Sequence, residues 1–272
     1  MTRAAGQLLR LAVCACLALT WATAASAQDP SVGDAADRPG FADSAVLVGK
    51  GHILFETGFT LEHEGGDPAS VRKLTWPQVE LHGGLTKRLD LSVIWDGVAT
   101  AWTHTAFGGV VEEDTTAGLD DFRVGAKFRL ADRPGLKAAL IGYVNVPVGN
   151  ERLSSRYADP LVRVAWSMKT SERTGLNGTV DLQAARDDDD EVRAKPATSA
   201  AFNYSFNDSL SSFAGVVAEP AALVSRPTVF SIEAGLIRAV GDQEQVDVWA
   251  GRRVHGDIDG WFISGGFIRK LR

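Results

Sequence analysis

The sequence predicts an all-β protein: an antiparallel transmembrane β-barrel of about 12 strands, with short periplasmic turns and longer external loops. Three observations predict it. Strand-length segments that alternate between apolar and polar residues recur about twelve times, short and long connections alternate between them, and residues 1–27 have the pattern of a secretory signal. Residues 122–130, FRVGAKFRL, show the alternation most clearly. Because successive side chains of a strand point to opposite faces, the two faces of this segment suit different solvents.

The N-terminus is interpreted as a cleaved signal peptide, residues 1–27. Arg3 and Arg10 form a positively charged segment before the apolar run 11–19, and Ala25-Ser26-Ala27 supplies the small residues of a cleavage site. A membrane-anchoring helix is the alternative, but the run is shorter than the roughly 20 residues that span a bilayer. Cleavage removes two arginines, no acids and both cysteines, so the formal net charge changes from −6 to −8. This acidic balance argues against a nucleic-acid partner.

The chain after the signal divides into a flexible N-terminal arm, residues 28–47, and a single barrel domain, residues 48–272. The arm is polar, rich in aspartate, alanine and proline, and has no periodicity. The segments with strand-like alternation are 52–62, 76–85, 89–96, 122–130, 136–148, 161–168, 176–184, 198–206, 210–218, 228–238, 246–252 and 260–269.

The connections between these segments alternate in length. Outer-membrane barrels have short periplasmic turns and longer external loops, and an alternation with both chain ends on the short side requires an even number of strands. The connections read as longer loops are 65–75, 97–121, 149–160, 185–197, 219–227 and 253–259. The acidic run 187–190 is interpreted as a solvated part of one of them, because its spacing does not match a calcium-binding loop.

The polar faces are assigned to the lumen. Turning the strand at 122–130 by one residue would expose Lys127 to lipid, at a cost of roughly 2–4 kcal/mol near the midplane. The residues expected to line the pore are Glu80, His82, Asp90, Arg123, Lys127, Arg129, Arg163 and Asp181. The basic ones have two open interpretations: they bias a channel toward anionic solutes such as aromatic carboxylates, or they pair with acids across the barrel and fill it.

No catalytic residue, cofactor or metal site is predicted. The five histidines form no HExxH pair or other metal-ligand spacing, although a loose surface site involving His63 and His104 stays open. The sequence contains no GxSxG elbow and no Ser/His/Asp set that its order identifies.

Two stretches and the C-terminal region resemble one known family. Residues 83–93, GGLTKRLDLSV, are similar to the Gly-Leu-Thr-Asp-Arg-Leu-Glu-Leu hairpin of the family described as Putative MetA-pathway of phenol degradation. Residues 118–130 resemble its Gly-Leu-Gly-Asp strand with the following lysine and aromatic, here Lys127 and Phe128, and residues 245–272 resemble its closing hairpin. These matches are spread over nearly the whole mature chain.

The resemblance implies an outer-membrane β-barrel, a fold often labelled a transporter in this family and associated with uptake of aromatic or other hydrophobic compounds. Three positions depart from the family pattern. Asp120 replaces a glycine, Val148 replaces the threonine of a Pro-Thr-Gly sequence, and the chain ends in Leu271-Arg272 instead of an aromatic residue.

The predicted function is passive passage of small, aromatic or hydrophobic solutes across the outer membrane of a Gram-negative cell, without enzymatic activity. Selectivity is expected to depend on the width and charge of the lumen and on any plug formed by residues 28–47. The expected partners are outer-membrane lipid and a small-molecule solute, and the oligomeric state is not predicted. Two alternatives stay open. One is a barrel that acts as a lipid enzyme or a structural outer-membrane protein, and the other is a soluble periplasmic β protein that binds a hydrophobic ligand.

Overall fold

The computed structural model describes residues 31–66, 68–186, 191–220, 228–256 and 258–271. The signal segment 1–27 and the acidic run 187–190 lie outside these residues. Within them the chain forms one short helix, α1 (Val32–Ala35), and fourteen strands. The strands are β1 (Ile53–Gly66), β2 (Ala69–Gly84), β3 (Leu89–Trp95), β4 (Val98–Phe107), β5 (Val110–Leu119), β6 (Phe122–Arg133), β7 (Leu136–Val146), β8 (Pro160–Lys169), β9 (Thr174–Arg186), β10 (Val192–Ser205), β11 (Leu210–Glu219), β12 (Val229–Ala239), β13 (Glu244–His255) and β14 (Gly260–Leu271). No helix in the described part of the chain is long and apolar enough to cross a membrane.

Twelve of the strands close into an antiparallel barrel. The strands pair in the order β1, β2, β3, β6 and then β7 through β14, and β14 returns to pair with β1 over twelve residue positions, which closes the sheet. Closure leaves the twelve-stranded barrel without an edge and gives each of these twelve strands two neighbours for its backbone hydrogen bonds. The predicted fold class and the twelve predicted segments are confirmed.

The connection expected to be a long loop at residues 97–121 is instead a hairpin, and this prediction was wrong. β4 pairs with β2 over Ala69–Trp76, while β3 pairs with the other part of β2, Val79–Gly84. β5 then pairs with β4, so the hairpin extends the wall beyond β3 and β6. Its sequence mixes threonine with charged residues on both faces, which fits a strand surrounded by water and hides the alternation.

The connection between β1 and β2 is also shorter than expected. The sequence predicts a longer loop at residues 65–75, but β1 continues to Gly66 and β2 begins at Ala69. The extended ladder pairs polar residues such as Glu62 with Lys73 and His63 with Arg72. These residues satisfy the backbone within the hairpin while their side chains stay polar, so polarity alone does not mark a loop here.

The two faces of the wall differ as the alternation predicts. On β6, Val124 and Phe128 are 43% and 42% exposed on the outer face, whereas Lys127 between them is 2% exposed on the inner face. Val93 of β3 and Val144 of β7 lie beside Val124 in register and are also exposed. The outer face therefore presents a continuous aliphatic surface, and the inner face carries the charged side chains.

Residues 31–48, here called the plug, pack inside the barrel, whereas the sequence suggested a flexible arm at residues 28–47. Apolar side chains of the plug form a buried cluster with the wall residues Leu54 and Ile268; the plug members are Val32, Ala35, Ala36, Val46 and Val48. The segment thus contributes enough apolar surface to pack against β1 and β14, and its acidic residues meet cations of the wall.

Candidate functional site: the plugged lumen

Glu56 of β1 holds the backbone of the plug. Its side chain is 0% exposed, Oε1 accepts a hydrogen bond from the backbone N–H of Asp37 at 2.9 Å, and Oε2 accepts one from the N–H of Arg38 at 2.9 Å. A carboxylate has two oxygens with lone pairs for such bonds, so one side chain satisfies two successive buried amides. Two successive amides of the plug depend on this one side chain, which makes it a central attachment of the plug.

Arg38 extends the plug toward the closing strands. One guanidinium nitrogen donates to Ser264 Oγ at 3.0 Å and lies 3.4 Å from Asp247 Oδ1. Gly58 and Gly266 leave space for this side chain, because a Cβ at either position would lie 2.6 or 2.4 Å from a guanidinium atom. Glycine on neighbouring strands therefore creates the slot that the arginine fills.

Asp43 attaches the plug to the opposite wall. Its Oδ1 lies 2.7 Å from a guanidinium nitrogen of Arg163, and its Oδ2 accepts a hydrogen bond from the hydroxyl of Tyr143 at 3.3 Å. Arg163 also binds Asp181 through two nitrogens, at 2.8 and 2.6 Å. Burial acts to raise the pKa of Asp43, but the cations of Arg163, Lys127 and Arg123, together with the hydrogen bond from Arg163, leave the pKa below its ordinary value.

Asp37 joins the plug to Lys127. Its Oδ1 accepts hydrogen bonds from Lys127 Nζ at 2.7 Å and from the backbone N–H of Ser44 at 2.7 Å. Burial raises the pKa of Asp37, although the Lys127 ammonium acts in the opposite sense. Further along, Asp90 of β3 accepts a hydrogen bond from the backbone N–H of Val48 at 2.7 Å, so wall carboxylates bind the plug near its middle and at its C-terminal end.

An aromatic cluster surrounds the tip of the plug. The Phe41 ring contacts Trp249 and Phe262 edge-on, with centroids 5.4 and 5.3 Å apart, and those two rings are 4.6 Å from each other. The preceding Gly40 has φ of 108°, a left-handed conformation that favours glycine, and this turn directs Phe41 to the rings. The Phe41 N–H donates to Glu233 Oε1 at 3.3 Å.

Two lumen cavities lie on either side of the plug. One of them, here called the outer cavity because it reaches Arg253 near the longer β13–β14 connection, has a volume of about 440 Å³ and is lined by Phe41 and Asp43 of the plug. The inner cavity, about 610 Å³, is lined by Ala42 and Ser44 and reaches the short turn at Arg173. Because plug residues line both spaces, the plug separates them.

A loop at the outer rim is organised by Asp121, the residue before β6. Its side chain accepts hydrogen bonds from the backbone N–H groups of Gly149 and Ser155, at 3.0 and 2.9 Å, and from Asn145 Nδ2 at 2.8 Å. Burial alone would raise the pKa of Asp121, but the hydrogen bonds to its ionised form lower it to about 2.

The eight residues expected to line the pore all lie on barrel strands, and the structure brings six of them into two groups. Glu80, His82, Asp90 and Lys127 lie together around Asp37, with Asp90 and Lys127 opposite each other in register. Arg163 and Asp181 form the second group, at Asp43. Each predicted basic residue has an acidic partner: the pairs are Arg123 with Asp96, Lys127 with Asp37, Arg129 with Asp132, and Arg163 with Asp43 and Asp181.

The sequence did not identify the plug contacts or the wall residues Glu56, Glu233 and Asp247. Each of these three acids lies on the face of its strand opposite the exposed apolar residues, and this position is a signal that could have found them. His63 and His104, the two histidines of the possible surface site, contact different partners in the structure. His104 Nδ1 lies 2.6 Å from Glu113 Oε1, and His63 packs against Trp261.

The comparisons with known proteins agree with this architecture. The sequence profile of the family described as Putative MetA-pathway of phenol degradation matches residues 36–268. The chain belongs to this family. The match begins within the plug and ends in β14, so the family's sequence pattern includes the segment inside the barrel as well as the wall. No curated protein matches the sequence.

Two solved structures are similar in fold. The COG4313 outer membrane channel from Pseudomonas putida F1 has a TM-score of 0.65 at 12% identity, over 86% of this chain and 99% of that chain. The transport unit of the autotransporter AIDA-I from Escherichia coli has a TM-score of 0.51 at 10% identity, over 82% of this chain and 91% of that one. At these identities the likeness establishes the fold, an outer-membrane-type barrel, and leaves the role to the site itself.

Proposed function

We propose that this protein is an outer-membrane channel for passive passage of small aromatic or hydrophobic solutes, with the plug as its gate. The observation that carries the proposal is the position of residues 31–48 between two lumen cavities of about 440 and 610 Å³. In the smallest barrels wall side chains fill the interior, whereas this lumen admits a separate segment and still leaves space. Displacement of that segment joins the two cavities into a path.

The outer cavity favours an aromatic solute with a polar or anionic group. Phe41, Trp249 and Phe262 give it an aromatic wall, and the Arg123 guanidinium also lines it. Its volume lies within the range of small-molecule sites, which are mostly apolar with a few polar groups that fix orientation. Arg123 already binds Asp96, at 2.7 Å, so a solute anion would share this cation and not meet a free one.

The proposal includes an outer-membrane location, with lipid around the exposed aliphatic surface and export through residues 1–27 as a cleaved signal. It keeps residues 48–272 as the barrel domain and replaces the expected flexible arm by the gate. It involves no covalent chemistry and no cofactor. The similar P. putida structure is that of an outer membrane channel, and the family description refers to phenol degradation, and both support this assignment.

Solute flux into liposomes tests the proposal. Benzenesulfonate stays ionised at neutral pH and crosses lipid slowly, so its entry into vesicles that contain the purified mature protein reports the channel. We expect faster entry than for methanesulfonate, and a loss of that preference in Trp249→Ala but not in Trp166→Ala, a control on the outer face. Flux of both solutes equal to that of protein-free vesicles would contradict the channel role.

A further inference from the structure

Three carboxylates surround one imidazole nitrogen at the base of the plug. Nε2 of His82 lies 3.5 Å from Glu80 Oε2, 3.7 Å from Asp37 Oδ2 and 3.7 Å from Glu56 Oε1. Asp37 belongs to the plug, whereas the other three residues belong to β1 and β2 of the wall. The ligand atoms of Asp37, Glu80 and His82 all lie within 4.8 Å of one another, a spacing compatible with a shared metal ion.

The hydrogen bonds of these side chains leave the facing atoms unpaired. His82 is 2% exposed, and its Nδ1 lies 2.8 Å from Ser92 Oγ, while Nε2 has no hydrogen-bond partner in the described residues. Asp37 uses Oδ1 for Lys127 and Ser44, and its Oδ2 likewise has no partner there. Buried polar atoms are rarely left in this way, and here two of them point at each other.

The arrangement has the features of a metal site. Four ligands held about 2.0–2.1 Å from a tetrahedral zinc ion lie about 3.3–3.4 Å apart, close to the separations around His82 Nε2. An octahedral magnesium ion at the same bond lengths would need neighbouring ligands only about 3 Å apart. Metal-bound histidines usually have their other ring nitrogen fixed by a hydrogen bond, as Ser92 does for His82.

The charge of the cluster is compatible with a divalent cation. Asp37, Glu56 and Glu80 carry up to three negative charges, and Lys127 carries one positive charge. This buried charge is relieved either by protons on these side chains, His82 included, or by a bound cation, so a divalent ion can take the place of those protons. Other cations of this region are engaged elsewhere, since Arg123 pairs with Asp96 and Arg163 with Asp43 and Asp181.

We propose that Asp37, Glu80 and His82, beside Glu56, bind a divalent transition-metal ion of the zinc type. The ion joins the plug to the wall, because one ligand comes from the plug and the other two from β2. It therefore stabilises the docked position of the plug in addition to the clamp at Glu56. This proposal does not depend on the solute that the channel carries.

Cobalt binding to the full mature protein in detergent tests the site. Tetrahedral Co²⁺ absorbs visible light strongly, and Zn²⁺ should displace it. We expect saturation at one Co²⁺ per chain, with affinity at least tenfold weaker in Glu80→Gln and in His82→Asn. His104→Asn removes a histidine from an exposed His–Glu pair and serves as the matched control, so it should bind like the wild type. Gel mobility before and after boiling verifies that each variant is folded.

A second measurement needs no variant. Zn²⁺ added to the wild-type protein should slow hydrogen exchange of the plug amides at Asp37 and Arg38 more than that of the β4–β5 hairpin. The proposal is overturned if the wild type shows no saturable binding, if binding survives in folded His82→Asn, or if Zn²⁺ leaves exchange of the plug unchanged. Those results would describe the cluster as an ionic contact of a protonated histidine.

Discussion

Replacing Glu56 by alanine is expected to release the plug from the wall. The substitution removes the acceptor for the N–H groups of Asp37 and Arg38, each bound at 2.9 Å in a site where Glu56 is fully buried. Neither amide has another wall carboxylate in the same position to replace it. The docked plug should therefore lose stability without any change to the barrel ladder, because the backbone pairing of β1 does not use the side chain.

The size of the effect follows from the number of bonds. A buried donor left without an acceptor costs about 1–3 kcal/mol, so the two freed amides together cost about 2–6 kcal/mol before water reaches them. Since about 1.4 kcal/mol corresponds to a tenfold change in an equilibrium constant, even the low end raises the ratio of undocked to docked plug about 30-fold.

Hydrogen exchange and bilayer conductance measure this change. Amides of residues 36–46 should exchange faster in Glu56→Ala, and the open probability of single channels should rise. Glu62→Ala is the matched control, because Glu62 lies on the same strand and faces the same lumen but pairs with Lys73, and within the described residues it has no hydrogen bond or ion pair with the plug. Equal exchange and conductance in Glu56→Ala, Glu62→Ala and the wild type would refute the idea that this carboxylate holds the plug.

Three further outcomes are expected. Asp121→Asn should destabilise the outer loop by about 1–2 kcal/mol at neutral pH. The folded pKa of about 2 lies below the ordinary 3.8, so in the wild type the stabilisation of the loop by Asp121 is present above about pH 4 and disappears as the pH falls toward 2. Hydrogen exchange of the loop amides between about pH 5 and 2 measures this change. Arg163→Met should cost about 3–5 kcal/mol in thermal unfolding followed by gel mobility, because it leaves two buried carboxylates unpaired, and adding Asp181→Asn should restore part of the loss; an unchanged midpoint would contradict this. Val124→Arg should reduce the free energy of folding into lipid vesicles by up to about 2–4 kcal/mol, whereas Val124→Leu should leave it unchanged. An arginine variant as stable as the wild type would argue against lipid at this face.

The wall of the barrel could be predicted from the sequence because its physics is local. A strand with lipid on one side and a polar lumen on the other must alternate at every residue, and twelve segments such as β6 do so. The β4–β5 hairpin escaped because water on both faces removes that constraint. Thr103 and Asp114, for example, pair across it without an apolar face to mark the strands.

The lumen could be predicted only in part. Alternation places Lys127 and Arg163 inward, but it does not say which acids will meet them, because their partners Asp37 and Asp43 lie about ninety or more residues away in sequence. The apolar residues of the plug are mostly alanine and valine and follow no period, and they alternate irregularly with aspartate and proline, so the sequence resembles a disordered segment. Its order comes from tertiary contacts alone, which no local pattern records.

The junction of β1 with β14 has a consequence for biogenesis. The first strand of the wall is adjacent to the last only after the entire polypeptide has been made, and Arg38 reaches Ser264 and Asp247 across that junction. The anchoring partners of the N-terminal segment are thus the final ones to arrive at the membrane. Closure of the barrel and docking of the plug are therefore coupled, and a partly assembled chain lacks the contacts that would hold the plug across the lumen.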